Sequence, residues 1–304
     1  MLSYTIRRLL GAIPTLLILI ALAFLLIRAA PGGPFDRERS LPPEVEANLR
    51  AAYHLDEPLY EQFGRYLWGL LHFDFGPSFQ YRDYTVTELI AAGFPVSLTL
   101  GLCALVVALF IGVTAGSVAA LRQNSGVDHG VMALSMTGIS IPNFVMAPLL
   151  VLVFAVYLRW LPAGGLGERS LVLPVIALAL PQIAYLSRLT RGSMIEVLRS
   201  NFVRTARAQG LPTWQVIVRH ALKPALLPVV SYLGPAAAQI ITGSVVIEQI
   251  FSRPGLGRYF VTGALNRDYT LVMGVVIFYG VLIILFNFLV DLAYAWLDPK
   301  VRYR

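Results

Sequence analysis

Charge is scarce in this chain: 13% of its 304 residues are Asp, Glu, Lys or Arg, against 57% that are hydrophobic. A soluble domain of this length has no need of that balance, whereas a protein whose surface meets hydrocarbon does. The one cysteine, Cys103, lies inside an apolar run, which excludes a disulfide framework and a Cys/His metal site and leaves packing as its expected role. Lysine occurs only at Lys223 and Lys300, followed by Pro224 and Val301. No G-x-x-x-x-G-K-[ST] phosphate loop therefore exists, and any ATPase must be another polypeptide. The histidines His54, His72, His129 and His220 fall in loops or at the borders of apolar runs, and no paired carboxylates lie within one. Hence the chain is not read as an enzyme, and no cofactor or metal is expected. Ionisable groups are also missing from the interiors of the apolar runs, where a proton- or sodium-driven carrier usually places them.

What is present is length between charges. Six uncharged stretches, 9–27, 89–121, 129–158, 170–187, 224–247 and 269–290, each reach 18 residues. About 20 residues at a 1.5 Å rise cross a roughly 30 Å hydrocarbon core, so the fold class is all-α and integral to a membrane, with six transmembrane helices, the fourth marginal in length. The first run is longer than a signal-peptide core and reads as a retained anchor. Thirteen basic residues fall on the side shared by both termini, against five in the two short loops opposite, which puts both termini in the cytoplasm. The basic residues flank the spans, so the net charge of +7 fits membrane orientation better than nucleic acid. The expected layout is 1–30 for the first helix, 31–93 for a periplasmic segment, 94–298 for a core of five helices, and 299–304 for a cytoplasmic tail. Ten acids and five arginines give the 31–93 segment its negative charge; it serves either as an insulating loop or as a docking surface.

Within the spans, Gly112, Gly116, Gly138 and several prolines allow close approach or kinks. Asn143, Gln182, Gln239 and Thr242 either bridge helices or line a passage, as do Tyr185 and Asn287. Glu248 and Asp291 sit at span ends, where a charge can snorkel to water.

The long polar interruption from Arg188 to Lys223 carries seven basic residues and one acid, Glu196. Met194, Val197, Leu198 and Phe202, then Trp214, Ile217 and Val218 after a Gly210-Leu211-Pro212 break, recur at helical spacing. Two short amphipathic helices joined by a turn are expected, and they want a partner surface. From composition alone this could equally be a basic connection that fixes topology and touches anionic lipid. The run Arg204-Thr205-Ala206-Arg207-Ala208-Gln209-Gly210, with His220-Ala221-Leu222-Lys223-Pro224 nine residues on, resembles the cytoplasmic signature loop of ABC-importer permeases in its peptide-transporter form. The general Glu-Ala-Ala triplet reads Arg204, Thr205 and Ala206 here, and its proline falls on Lys223.

The opening RRLLGAIPTLL, the external LPPEVEANLRAAYHLDEPL and DFGPSFQYRDYTV, and EQIFSRPGLGRYFVTGALNRDYTLV also resemble permeases of the peptide and nickel family, the external segments resembling oligopeptide permeases in particular. The resemblance implies type I importer permease architecture in a bacterial inner membrane and a non-enzymatic subunit of a heterodimeric ABC importer. Its implied partners are a second homologous permease, two cytoplasmic ATP-binding subunits, a periplasmic peptide-binding protein and a peptide substrate. Phe202, Arg204, Thr205, Ala206, Arg207 and Gly210 would then couple the chain to the ATPase. Dipeptide, nickel-complex or sugar transport are alternatives within the class; a channel-forming subunit is the alternative outside it.

Overall fold

The computed structural model describes residues 2–29, 54–81, 83–165 and 167–297. Of the expected periplasmic segment, 31–53 therefore lies outside the described residues, as does the tail 299–304. The described chain is helical apart from turns and one isolated bridge, Pro77 to Thr85. In order come α1 (Leu2–Ala29), α2 (Leu59–Leu71), α3 (Val86–Leu121), α4 (Gly126–Ser140) and α5 (Asn143–Leu150). There follow α6 (Val172–Leu198), α7 (Asn201–Ala208), the short α8 (Thr213–Gln215), α9 (Leu227–Ile250), α10 (Leu256–Leu265) and α11 (Tyr269–Leu297).

Five helices are long and apolar enough to cross a membrane, and a sixth span arises if α4 and the helix from Asn143 to Tyr157 count as one. That pair is bent by 106°. Pro142 disfavours helical dihedrals at Ile141, which is extended at φ −94° and ψ 116°, so the single helix expected over 129–158 is broken there. Pro148 then removes one N–H from the ladder, and the chain continues as a π-helix over Val151–Tyr157. The fourth span is not marginal: α6 continues through Arg188 and Arg191 to Leu198. A run that ends at the first charge ends before the helix does.

Backbone contacts divide the chain into two compact units, Met1–Ser97 with Pro254–Leu282, and Leu98–Arg253 with Ile283–Arg304. In the first, Ile20 and Phe24 of α1 pack with Met273 and Ile277 of α11, and Phe63, Tyr66 and Leu67 of α2 close over them. Asp268, fully buried, precedes α11 and accepts the Leu271 N–H at 3.1 Å, as a carboxylate at a helix start should. Its second oxygen accepts from the Ser78 hydroxyl and, at 3.0 Å, from the Gln80 N–H, which ties the turn after α2 to α11.

In the second unit α6 is central. Leu173, Pro174, Val175, Ala177, Leu178 and Ala179 are all buried, so its first turns are covered on every side. Neighbours come in at backbone distance where glycine permits it. A methyl on Gly112 would lie 3.2 Å from the Ile183 carbonyl oxygen and one on Gly138 3.2 Å from that of Leu180. Two expectations change here. Cys103 is exposed on α3 beside Val106 and Phe110, so its thiol is not packing within the chain. Glu248 is fully buried and does not snorkel. Arg253, one of the five basic residues counted in the two short loops, is buried with its guanidinium on the Gly165 carbonyl (2.5 Å) and the Ser170 hydroxyl (2.9 Å).

Gly116→Ala and Gly130→Ala should differ in sign. At Gly116 the new methyl lies 2.7 Å from the Thr190 Cβ and 3.1 Å from the Arg191 nitrogen. The helices must part, at a cost of about 1–3 kcal/mol. Gly130, also helical, has nothing within 4 Å, so alanine gains about 0.5–1 kcal/mol there. Thermal unfolding of the purified protein in detergent measures both; equal shifts would contradict close packing on α6.

Candidate functional site: the loop after α6 and the α6–α9 face

After Leu198 the chain breaks helix at Ser200, extended at φ −67° and ψ 155°, and resumes as α7. Met194 to Leu198 therefore close α6, and only Phe202 of the first expected stripe belongs to the short helix. Two faces of α7 differ sharply. Val203 and Ala206 are buried against Met194, Val216, Ala221 and Ala225, so Ala206 packs inside its own chain instead of facing a partner. Phe202, Arg204, Thr205 and Arg207 are exposed, Phe202 at 49%. Past the turn, Trp214 and Val218 are exposed as well, at 58% and 57%, while Val216 is buried. Phe202, Trp214 and Val218 are thus exposed apolar side chains in a loop otherwise rich in arginine. Gly210 adopts φ +79°, a left-handed conformation that favours glycine, yet a side chain there would meet nothing within 4 Å. Within this chain glycine is favoured there by backbone conformation and not by lack of space.

The loop is fastened to the bundle above it. Arg191 of α6 donates from Nε and Nη2 to the two oxygens of Asp128 at 2.5 and 2.7 Å, a bidentate pair whose carboxylate is covered. Asp128 also accepts the Asn124 N–H at 2.9 Å, and Ser125 caps α4 through the Asp128 N–H. Arg199 reaches Gln123 at 3.1 Å, so the α3–α4 turn is held at two levels along α6. A pair 63 residues apart leaves no periodic trace, so spacing gave no signal for it.

The polar residues of the spans converge in part. Gln182 donates to Gln239 at 2.9 Å, and the Tyr232 hydroxyl donates to the Gln182 carbonyl oxygen at 3.1 Å. The Tyr185 ring stacks on Tyr232 with centroids 4.1 Å apart. Gln182 is buried behind this group, so it orients its neighbours, whereas Tyr185, Gln239 and Thr242 lie on the exposed face. Thr242 donates to the Ala238 carbonyl of its own helix at 2.9 Å. Asn143 is apart from the cluster, its amide nitrogen 3.8 Å from the Cβ position of Gly243. Tyr232 was not among the residues expected here; its stacking on Tyr185 is what brings it in.

In the second unit, membrane-length helices pack on a central α6 that leads into an uncovered basic, aromatic loop. Comparison with known proteins identifies the family. The family model described as "Binding-protein-dependent transport system inner membrane component" matches residues 112–303, and its N-terminal companion matches residues 1–101. The chain belongs to that family. It is 59% identical to the oligopeptide transport system permease protein OppB of Salmonella typhimurium over 306 aligned residues, which cover 100% of both chains. Against the dipeptide transport system permease protein DppB of Bacillus subtilis the identity is 46%, covering 99% of this chain and 98% of the relative. Among solved structures, an inward-facing MetNI methionine ABC transporter matches with a TM-score of 0.60 at 17% identity, over 69% of this chain and 97% of that one. The fold is that of ABC type I importer permeases, and the chain is one subunit of a larger transporter.

Arg191→Met should destabilise the protein more than Asp128→Asn. The first leaves a covered carboxylate unpaired, while the second leaves a guanidinium that is 26% exposed and an amide that still accepts from Asn124. Unfolding temperatures of the two purified variants decide it; equal losses would contradict the asymmetry.

Proposed function

We propose that the chain is the permease subunit of an ATP-driven importer that moves oligopeptides, delivered by a separate periplasmic binding protein, across a bacterial inner membrane. The observation that carries this is full-length identity of 59% to an oligopeptide permease, well above the 46% to a dipeptide permease. Both termini and the 188–223 loop face the cytoplasm, and 31–93 faces the periplasm; the charge asymmetry supports that orientation. A second, homologous permease completes the pathway, and two ATP-binding subunits dock from the cytoplasm. The chain itself performs no catalytic step.

In this reading Phe202 is the anchor that enters a cleft on an ATP-binding subunit. Arg204 and Arg207 pair with acids at its rim, and Thr205 lies on the same face. Ala206 holds the helix down from beneath, and Gly210 turns the chain out of it. Asn143, Gln182, Gln239 and Thr242 belong to the passage wall, Gln182 by holding Gln239 in place.

Phe202→Ala should weaken assembly with the ATP-binding subunits by about 2 kcal/mol or more, roughly thirtyfold in affinity, since buried aromatics carry most of such an interface. Arg204→Ala should cost less than about 1 kcal/mol. At position 210, asparagine should retain uptake better than valine, because it tolerates the left-handed conformation. Co-purification of the subunits and peptide uptake by the whole importer are the measurements. Unchanged assembly in Phe202→Ala would remove the anchor.

A further inference from the structure

A cavity of about 290 Å³ lies within the first unit, among the C-terminal end of α1, helix α2, the turn after it and the start of α11. Its apolar wall includes Phe24, Phe75 and Met273, and its polar wall includes Arg28, Gln62 and Tyr66. Two of these polar groups have unused capacity. Gln62 is 8% exposed, and its amide orientation is fixed because Nε2 donates to the carbonyls of Leu55 (3.1 Å) and Glu57 (2.7 Å). The amide oxygen is left as an acceptor with no partner among the described residues. The Tyr66 hydroxyl is likewise covered and without a partner among them. Burial pushes that hydroxyl above its ordinary pKa, so it remains a donor at every physiological pH.

The cavity therefore presents, together, a guanidinium, a hydroxyl donor and a carboxamide acceptor; the Asp74 carboxylate lines it too, with Oδ1 accepting the Gly76 N–H at 2.8 Å. Arg65 also lines it, but its guanidinium is taken up by Glu57 at 2.7 and 2.8 Å. Arg28 lies 5.5 Å from the Phe24 ring centre. Height matters too. The apolar span of α1 ends at Ala29 and that of α11 begins at Tyr269, so the cavity is level with the ends of two spans, where lipid headgroups lie. Beside it runs a groove of about 190 Å³ lined by Ala21, Phe24, Leu25, Leu59, Tyr60 and Phe63, which shares Phe24 with the cavity. A charged and hydrogen-bonding chamber joined at one ring to an apolar groove matches an amphiphile with one compact polar end.

We propose that this is a site for one phospholipid whose headgroup carries both a phosphate and a hydrogen-bond donor, as phosphatidylethanolamine and phosphatidylglycerol do. Arg28 and the Tyr66 hydroxyl hold the phosphate, and the Gln62 amide oxygen accepts from the ammonium or hydroxyl beyond it. An acyl chain lies along the groove at Phe24. Phosphatidylcholine offers the phosphate but no donor to Gln62, and it binds less well.

The test uses the assembled importer in phosphatidylcholine vesicles containing a trace of phosphatidylethanolamine with a photoactivatable headgroup, and adducts are mapped by mass spectrometry. Adducts should concentrate on the peptides holding Arg28 and Tyr66. Unlabelled phosphatidylethanolamine or phosphatidylglycerol should compete, while inorganic phosphate and extra phosphatidylcholine should not. Arg28→Gln and Tyr66→Phe should each lower the adduct yield about tenfold, the loss expected for a hydrogen bond to a charged group. Tyr66→Phe removes no bond made within the described chain, so it decides the matter if Arg28→Gln does not fold. Adducts unchanged in Tyr66→Phe, or absent from these peptides, would mean a cavity filled by water alone and would overturn the proposal. Competition by inorganic phosphate would overturn the lipid as its occupant.

Discussion

Hydrocarbon gives helices no hydrophobic reward for joining, so a bundle in a membrane depends on how closely its backbones can approach. In the second unit that condition is met on α6. Gly112 and Gly116 of α3 and Gly138 of α4 each stand where a methyl group would press on α6. Close approach also places the Ser135 and Ser187 hydroxyls 2.6 Å apart across two helices, a buried polar contact that needs the same tight fit. The Arg191–Asp128 pair extends that fit past the apolar part of the helix. Because α6 is one unbroken element, whatever moves the loop after Leu198 acts directly on the packed part of the span.

Much of this was legible in the residues. A helix that meets lipid shows its length as an uncharged run, and five of the six runs have one long helix each. The sixth, over 129–158, is two helices because a single proline at 142 outweighs thirty residues of apolar composition. Loop chemistry was legible as type but not as face. Phe202, Arg204, Thr205 and Arg207 are exposed, whereas Ala206 is buried, since an eight-residue helix divides its positions by what lies under it. Val203 and Val216, which do the holding, carry no signal that separates them from any other valine.

Contacts across long sequence separation were not legible at all. Gln182 and Gln239 were each visible as polar residues in apolar surroundings, but their bond joins positions 57 apart and closes only when α6 and α9 lie side by side. Once it closes, Gln182 ceases to be a free surface group, and the exposed chemistry narrows to the stacked tyrosines, the outer side of Gln239 and Thr242. That face bears no formal charge. Fixed charges at mid-span would favour one class of peptide over another, and they would also be costly to keep there. In the proposed function this face is passage wall, and a neutral surface of amides, hydroxyls and aromatic rings there would meet a peptide backbone without committing to its side chains.

Transport through a neutral passage is tested most directly by measuring uptake of an acidic, a basic and an apolar oligopeptide of equal length by the whole importer carrying Gln239→Ala. The account predicts a modest change of rate, alike for all three peptides. Abolition of one with the others spared would make the α6–α9 face a selectivity filter and contradict it.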